Sequence, residues 1–274
     1  MIFENMIGLG VAGNFAGHLE QAGEAADFKQ VNTAEPVQPK AIFPFYVPAR
    51  EAGFLSVYPL SSDILRFPAG GADNLQIEPE IALICDLQYE NKKVVKIIPH
   101  FFAAYNDCSI RRPNARKICE KKNWGLESKG LAKHWIPLPS FEAGSVIDRY
   151  RIACFHRRDG KTNIYGVDSP ALGYSYFHQK LLDWIAERMN NQRDQGPIND
   201  IAQLLAQANY PDKAVISIGA TRYTPFGEQN YLQPGDTSIV AVYNGEKYDE
   251  SSVFAMAETL QFAEDISVLI QNLV

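Results

Sequence analysis

Two pairs of strand-like segments, each joined by a short polar turn, limit the folds that this chain can adopt. Residues 81–87 and 94–98 are apolar runs separated by a polar stretch, and residues 150–156 and 162–167 flank Asp159-Gly160. The glycine of that pair allows the positive φ of a tight hairpin turn. Both pairs therefore predict antiparallel hairpins at the centre of the chain.

After residue 173 the apolar pattern changes to that of helices. Residues 177–189 carry apolar side chains at helical spacing, a second helix is expected after Pro197, and a final amphipathic helix begins at about Ser252. Two more strand-like runs, 214–219 and 238–243, precede that last helix. Strands grouped at the centre, with helices towards the C-terminus, predict an α+β, β-rich fold rather than repeated βαβ units.

The length of 274 residues fits one large domain with appended segments. We expect residues 71–274 to form one compact unit and residues 1–70 to form an N-terminal segment. That segment would contain a lid at residues 1–25 and an extended connector at 32–48, where four prolines preclude a regular helix.

The charge of the chain argues against nucleic-acid binding. The net charge is −6, whereas a surface that neutralises phosphates needs a basic footprint. We expect the one basic cluster to be a solvated helix face, with Arg111 as the exception because it belongs to a motif described below. The cluster consists of Arg111, Arg112, Arg116, Lys117, Lys121 and Lys122.

Neither a membrane span nor a secretory signal is expected. Apolar runs such as residues 81–85 are far shorter than the roughly 20 residues that cross a bilayer. Residues 1–25 contain no lysine or arginine, which a secretory signal would carry, so we expect a cytoplasmic protein. The cysteines are scattered and are expected to be buried reduced thiols. They are Cys85, Cys108, Cys119 and Cys154.

A glycine pattern near the N-terminus matches the dinucleotide-binding fingerprint. Gly8, Gly10 and Gly13 have the G-x-G-x-x-G spacing, which lets backbone amides approach a pyrophosphate. The pattern lacks a clearly apolar strand before it and a long helix after it. We therefore expect a flexible glycine loop rather than a dinucleotide site.

Glu78 and Glu80 flank Pro79 at the start of an apolar run. Side chains alternate along a strand, so both carboxylates would lie on one face. Alone, such a pair is more often a solvated strand end than a metal site. Asp107 follows the first hairpin and would add a third carboxylate. Three carboxylates suit magnesium or manganese, with calcium as a further candidate.

The chain resembles the fumarylacetoacetate hydrolase family in the order of its short motifs. These are Gly-Asn-Phe-Ala-Gly-His at 13–18, Glu-x-Glu at 78–80, Asn-Asp-x-Ser-x-Arg at 106–111, Lys-Gly at 129–130, Thr-Pro-x-Gly at 224–227 and Pro-Gly-Asp at 234–236. The resemblance implies a mixed β-sandwich or roll with peripheral helices, in which residues 71–274 form the catalytic domain. It also implies a homodimer.

The resemblance implies a metal-dependent hydrolase or lyase. Its Mg²⁺ or Mn²⁺ ion would be held by Glu78, Glu80 and Asp107. The substrate would be a small anionic 2-oxo or 1,3-dicarbonyl acid of the acylpyruvate or oxaloacetate type, and the reaction would pass through a metal-stabilised enolate. His18 would move a proton and Lys129 would orient the substrate.

The substrate-binding residues implied by the resemblance are Arg111 and Thr224. Two positions depart from the family pattern. Gln21 stands where hydrolytic members have a glutamate three residues after the histidine, and it would orient the imidazole without adding charge. Val47 stands where many members have a lysine.

The departure at Gln21 favours decarboxylation or tautomerisation over hydrolysis, because neither reaction needs an activated water. The departure at Val47, which cannot bind an anion, indicates an altered substrate preference. The alternative is a degenerate member of the family that binds or scaffolds without turnover.

Overall fold

A long central hairpin runs through the larger sheet of the protein. The computed structural model describes residues 5–24, 28, 33, 35–71, 74–112 and 115–274. Strands β6 (Pro79–Glu90) and β7 (Lys93–Asn106) pair antiparallel along their length. Asn91 and Lys92 connect them with φ of 49° and 66°, the backbone that a two-residue hairpin turn requires.

The larger sheet has eight strands in the order β2-β1-β13-β6-β7-β9-β3, with β10 also paired to β7. β1 is parallel to β13, and β13 is antiparallel to β6. The other strands of this sheet are β1 (Ile7–Ala12), β2 (Ala41–Tyr46), β3 (Leu60–Ser61), β9 (Lys129–Leu131), β10 (Ile136–Pro137) and β13 (Lys213–Ser217).

A second sheet of five strands has the order β12-β11-β14-β15-β4. The predicted hairpin around Asp159-Gly160 forms two of its strands. Its members are β4 (Ile64–Leu65), β11 (Tyr150–Arg158), β12 (Lys161–Pro170), β14 (Thr237–Asn244) and β15 (Ser267–Leu273). A small third sheet pairs β5 (Leu75–Gln76) with β8 (Ser109–Ile110).

The helices are short except for two near the C-terminus. They are α1 (His18–Gln21), α2 (Cys119–Lys122), α3 (His178–Asn191), α4 (Ile201–Gln207), α5 (Pro225–Gln229) and α6 (Glu250–Thr259). Single 3₁₀ segments occur at Arg50–Ser56, Val146–Arg149 and Ala171–Gly173. No helix in the described ranges is long and apolar enough to cross a membrane.

The main core lies around the β6–β7 hairpin. β7 contacts α3 as well as β14 and β15 of the second sheet. Residues 79–85 of β6 are all buried, which explains their nearly continuous apolar sequence, since both faces of the strand are covered. The four cysteines are buried with free thiols, as expected.

The α+β, β-rich architecture confirms the predicted fold class. Both predicted hairpins are present, and the helices at 177–189 and 197–208 correspond to α3 and α4. The final helix ends at Thr259, and the chain then adds β15, which the sequence analysis did not predict.

The predicted connector at 32–48 lies partly outside the described residues, and its second half forms β2. Pro44 is tolerated there because β2 is the edge strand of the larger sheet. β1 pairs with β13, and β3 pairs with β9, across the boundary expected at residue 70. These pairings place strands of both expected segments in one sheet. The division into segments 1–70 and 71–274 stays a prediction.

The expected glycine loop at residues 8–13 is wrong, because residues 8–12 belong to the buried strand β1 and only Gly13 lies beyond it. A Cβ atom on Gly8 would lie 2.2 Å from the ring of Phe45, and one on Gly10 would lie 2.3 Å from the ring of Phe43. These glycines make room for aromatic rings of the neighbouring strand β2. Close packing, rather than phosphate binding or flexibility, explains their spacing.

We expect Gly8→Ala to destabilise the protein by about 1–3 kcal/mol, because the added methyl group would force a packed ring to move. Urea unfolding followed by circular dichroism measures this difference. The matched control is Gly70→Ala, since a Cβ at Gly70 meets nothing within 4 Å. Equal stability of the two variants would contradict the packing explanation.

Candidate metal centre

The β6–β7 hairpin brings the three predicted carboxylates together. Pro79 pairs with Asn106 and Glu80 with Tyr105, so the start of β6 lies beside the end of β7. The backbone N–H of Asp107 donates to the carbonyl of Glu78 at 2.9 Å. One oxygen from each of the three carboxylates lies within 4.8 Å of the others, and all three residues are buried.

Glu78 is the most strongly paired of these carboxylates. Its Oε1 lies 2.7 Å from Arg111 Nη1, and its Oε2 lies 2.8 Å from Lys122 Nζ. Burial disfavours the carboxylate charge, but these two cations outweigh burial and hold the pKa of Glu78 well below its usual range.

Asp107 and Glu80 have different environments. Asp107 Oδ2 lies 2.5 Å from Lys122 Nζ, and its Oδ1 lies 3.1 Å from Lys129 Nζ. Glu80 accepts from the backbone N–H of Gly219 at 2.9 Å. Burial, together with the neighbouring carboxylates Asp107 and Glu78, raises the pKa of Glu80 well above its usual range. A cation bound at the cluster would favour its charged form.

Lys122 was not predicted as a site residue, and the expectation of a solvated helix face is wrong for Lys121 and Lys122. Both are buried at the end of α2, whereas Arg112 and Arg116 are exposed. The sequence signal that could have found them is the need for counter-ions: buried carboxylates require nearby cations. α2 lies in the chain between Asp107 and Lys129, which both belong to the cluster.

Glu24 is a second residue that the sequence analysis missed. Its Oε1 lies 2.9 Å from Arg111 Nη1 and 3.5 Å from Lys121 Nζ. The guanidinium of Arg111 also donates to Gln76 at 2.6 Å and to the hydroxyl of Tyr223 at 2.7 Å. Arg111 therefore links the N-terminal segment to the acidic cluster.

His18 lies next to the carboxylates, as predicted. Its Nδ1 is 2.8 Å from the carbonyl oxygen of Thr221. A carbonyl can only accept, so we assign the ring proton to Nδ1. Nε2 then carries the lone pair and lies 3.9 Å from Glu78 Oε2. Burial is the main cause that lowers the pKa of His18 to about 4, so the ring is neutral near pH 7 and can accept a proton.

The loop before His18 is anchored by Asn14. Its amide donates to the carbonyls of Tyr176 and Ile218 at 3.0 and 2.8 Å and accepts from the N–H of Tyr176 at 2.8 Å. These bonds hold the segment that carries His18 over the end of β13. The motif at residues 13–18 thus combines an anchor with a group that accepts protons.

Gln21 and Thr224 make their hydrogen bonds away from the carboxylates. The Gln21 amide pairs with the backbone of Tyr223 in both directions, at 3.2 and 3.0 Å, and donates to Glu228. The Thr224 side chain caps α5 and donates to the carbonyl of Ile164 at 2.9 Å. The imidazole of His18 is oriented by its hydrogen bond to the carbonyl of Thr221, and the orienting role expected of Gln21 stays a prediction.

Lys129 is bonded to the backbone at residues 107 and 108 and is not exposed in an open pocket. Its side chain is completely buried, and the ammonium donates to the carbonyls of Asp107, at 2.9 Å, and Cys108. Gly130 follows it because a Cβ there would lie 2.3 Å from Gln271 Oε1. The Lys-Gly motif therefore holds Asp107 in place.

The late motifs have packing roles in the described contacts. A Cβ on Gly227 would lie 2.2 Å from the carbonyl oxygen of Tyr165. Asp236 accepts two hydrogen bonds from Arg158, at 2.8 and 2.7 Å. Both residues fix elements of the second sheet.

A small cavity of about 20 Å³ lies at the carboxylates. His18, Glu24, Phe43 and Lys122 line it together with the three acids. This volume holds one ion or one water molecule. The oxygen-only donors, their burial and the cavity fit a divalent cation such as magnesium or manganese.

Residues 24–273 match a family model described as a family of unknown function (DUF5718). This chain belongs to that family. No curated protein matches it.

Solved structures show the fold of this DUF5718 member. Inhibitor-bound Cg1458 is 16% identical with a TM-score of 0.57, and the match covers 98% of this chain and 76% of that one. For the 5-carboxymethyl-2-hydroxymuconate delta-isomerase of Mycobacterium smegmatis the identity is 15%, the TM-score 0.51 and the coverages 98% and 78%.

A protein of Oleispira antarctica, provisionally assigned as a fumarylacetoacetate isomerase/hydrolase, is 12% identical with a TM-score of 0.51. That match covers 98% of this chain and 93% of the other. At such identities the likeness establishes the fold alone. This fold is the α+β, β-rich fold that the sequence predicted.

We expect His18 of the metal-free protein to remain neutral from pH 5 to 8 with its proton on Nδ1, because its pKa is lowered to about 4 by burial. Long-range ¹H–¹⁵N correlation spectra report both the tautomer and the titration, and His18→Gln assigns the signal. The urea-unfolded protein is the control, where histidine titrates near about 6.5. A native titration near that value, or a proton on Nε2, would refute the assignment.

Proposed function

We propose that this protein is a divalent-metal-dependent enzyme that acts on a small 2-oxo or 1,3-dicarbonyl acid of the acylpyruvate or oxaloacetate type. The observation that carries the proposal is the convergence of Glu78, Glu80 and Asp107 at a buried cavity of ion size. Mg²⁺ or Mn²⁺ would be held by these carboxylates. When bound, the ion would supply Lewis-acid stabilisation of the negative charge that develops on the oxo group of the substrate.

The surrounding residues suit proton transfer beside an anionic substrate. His18 presents a neutral Nε2 towards the cluster and would accept or return a proton. Arg111 and Lys122 would attract the substrate carboxylate, because both are cations at the cavity or its edge. Lys129 would act by holding Asp107 rather than by touching the substrate.

The geometry favours a reaction without an activated water. A hydrolytic histidine would be helped by an acidic partner at the position of Gln21, but the amide of Gln21 is bound to Tyr223 and Glu228. We therefore propose that the reaction is decarboxylation or tautomerisation rather than hydrolysis of a carbon–carbon bond.

Substrate access requires the segment that carries α1 to move. A cavity of about 20 Å³ cannot hold an oxo acid in addition to an ion. The hydrogen bonds that His18 donates to Thr221, that Gln21 donates to Tyr223 and that Glu24 accepts from Arg111 would open and re-form. Residues 7–12 of the lid expected at 1–25 form the buried strand β1, so this proposal makes only residues 13–24 the lid of the site. Closure would exclude water from the reaction.

We expect purified protein to turn over oxaloacetate or an acylpyruvate only with Mg²⁺ or Mn²⁺ present. Chelator should abolish turnover, and added metal should restore it. Asp107→Asn should lower kcat/KM on the order of 100-fold or more, because it removes a charged ligand from the buried cluster.

The matched control for this assay is Asp86→Asn. Asp86 lies on the same strand β6 as Glu80, but it pairs with His100 and Lys213 at the surface, so its loss should leave turnover unchanged. Metal-dependent turnover that survives Asp107→Asn would reject the proposed function. If the metal-bound protein turns over neither oxaloacetate nor any acylpyruvate tested, a different role would be favoured.

That second role is binding or scaffolding without turnover. The contact of Lys122 with two of the three carboxylates favours it, because an ammonium already satisfies part of the ligand set. Turnover that is abolished by chelator and restored by magnesium would exclude this alternative.

We also propose a homodimer, which light scattering after gel filtration tests directly.

A further inference from the structure

The ammonium of Lys122 contacts two of the carboxylates, Glu78 and Asp107, that would hold a metal ion. Its side chain is 3% exposed, and its Nζ is 2.8 Å from Glu78 Oε2 and 2.5 Å from Asp107 Oδ2. The ammonium also lies 5.2 Å from the centre of the Phe43 ring. It therefore bridges two of the three carboxylates from within the cavity wall.

The cluster has as many buried cations as buried carboxylates among the described residues. Four acidic side chains face four basic ones, so their formal charges sum to zero when all are ionised. The acids are Glu24, Glu78, Glu80 and Asp107, and the bases are Arg111, Lys121, Lys122 and Lys129. The buried carboxylates thus have counter-ions without a metal.

A divalent ion held by all three carboxylates competes with this ammonium. Lys122 and the ion would contact the same two carboxylates, Glu78 and Asp107, and two cations held so close together in a buried site repel each other. With the ion bound and all four carboxylates ionised, the cluster carries two excess positive charges, and buried charge that is not compensated is costly. A ligand with two negative charges would restore the balance.

We propose that Lys122 is the resident cation of this site: it occupies Glu78 and Asp107 until a divalent ion displaces it. The metal then binds weakly alone and tightly together with a dianionic ligand. This inference rests on the proposed function and sharpens it, because it makes dicarboxylate oxo acids the preferred substrate class and metal loading dependent on their presence.

The test is calorimetric titration of the full chain with Mn²⁺, with and without oxalate as the dianionic probe, with free Mn²⁺ corrected for its complex with oxalate. We expect Lys122→Gln to bind Mn²⁺ alone at least about tenfold more tightly than the wild type, because charges in close contact interact strongly in a buried site. Oxalate should improve Mn²⁺ binding more in the wild type than in this variant.

The matched control is Lys121→Gln. Lys121 is the neighbouring residue and is also buried, but it contacts Glu24 instead of the three carboxylates. Its replacement removes the same charge and should change the Mn²⁺ affinity by less than about threefold, since the interaction weakens with distance. Equal effects of the two variants, or no gain in Lys122→Gln, would overturn the proposal.

Lys122→Met gives a second test should the glutamine variant not fold, because it fills similar space without charge. A third readout uses the unaltered protein with ¹⁵N-labelled lysine. Mg²⁺ should shift the Nζ signal of Lys122, and an unchanged signal at saturating metal would refute displacement. If no form of the protein binds Mn²⁺ or Mg²⁺ under any condition, the proposed function itself fails.

Discussion

The pairing of β6 with β7 positions the whole candidate site. The register of Pro79 with Asn106 brings Asp107 beside Glu78 and Glu80, although Asp107 is far from both in the chain. Asn106 reinforces this register, because its side chain accepts from the N–H of Glu78 at 3.1 Å and donates to Gln271 of the second sheet at 3.0 Å. A slip by one residue would turn the carboxylates to the opposite face.

Burial of the carboxylates then determines which residues must surround them. A buried ion is tolerated only when it is paired and hydrogen-bonded. Lys129 reaches across to Asp107, Arg111 reaches to Glu78 and Glu24, and Lys122 bridges two acids. The motif residues at 107, 111 and 129 thus serve stability in addition to the chemistry proposed for them. The same contacts connect the N-terminal segment to the core of the protein.

The sequence predicted features that depend on neighbouring residues better than features that depend on distant ones. The hairpin at Asp159-Gly160 and the helix at 177–189 follow from local turn chemistry and apolar spacing. The glycines of β1 were misinterpreted because their partners, Phe43 and Phe45, lie more than thirty residues away.

The same contrast between local and long-range features applies to the candidate site. The three carboxylates were predicted from strand alternation and ordered motifs, and the fold brings them together. Lys122 was missed because its spacing from Glu78 carries no local signal: only the path of the chain through α2 shows that the lysine is turned inward. The family resemblance implied that Gln21 orients His18, and this role stays a prediction. The hydrogen bond to the carbonyl of Thr221 joins residues 203 positions apart, so no local pattern could have predicted it.

The site therefore has to meet two opposing electrostatic requirements. Folding without a metal requires cations on the carboxylates, since removing one partner of a buried pair typically costs about 3–5 kcal/mol. Metal binding requires the same oxygens to be free. A lysine meets both needs better than an arginine would, because its compact ammonium on a flexible stem can leave the carboxylates without a planar fork of hydrogen bonds to break. Arg111, which is held by four partners, is suited to the permanent position, and Lys122 to the exchangeable one.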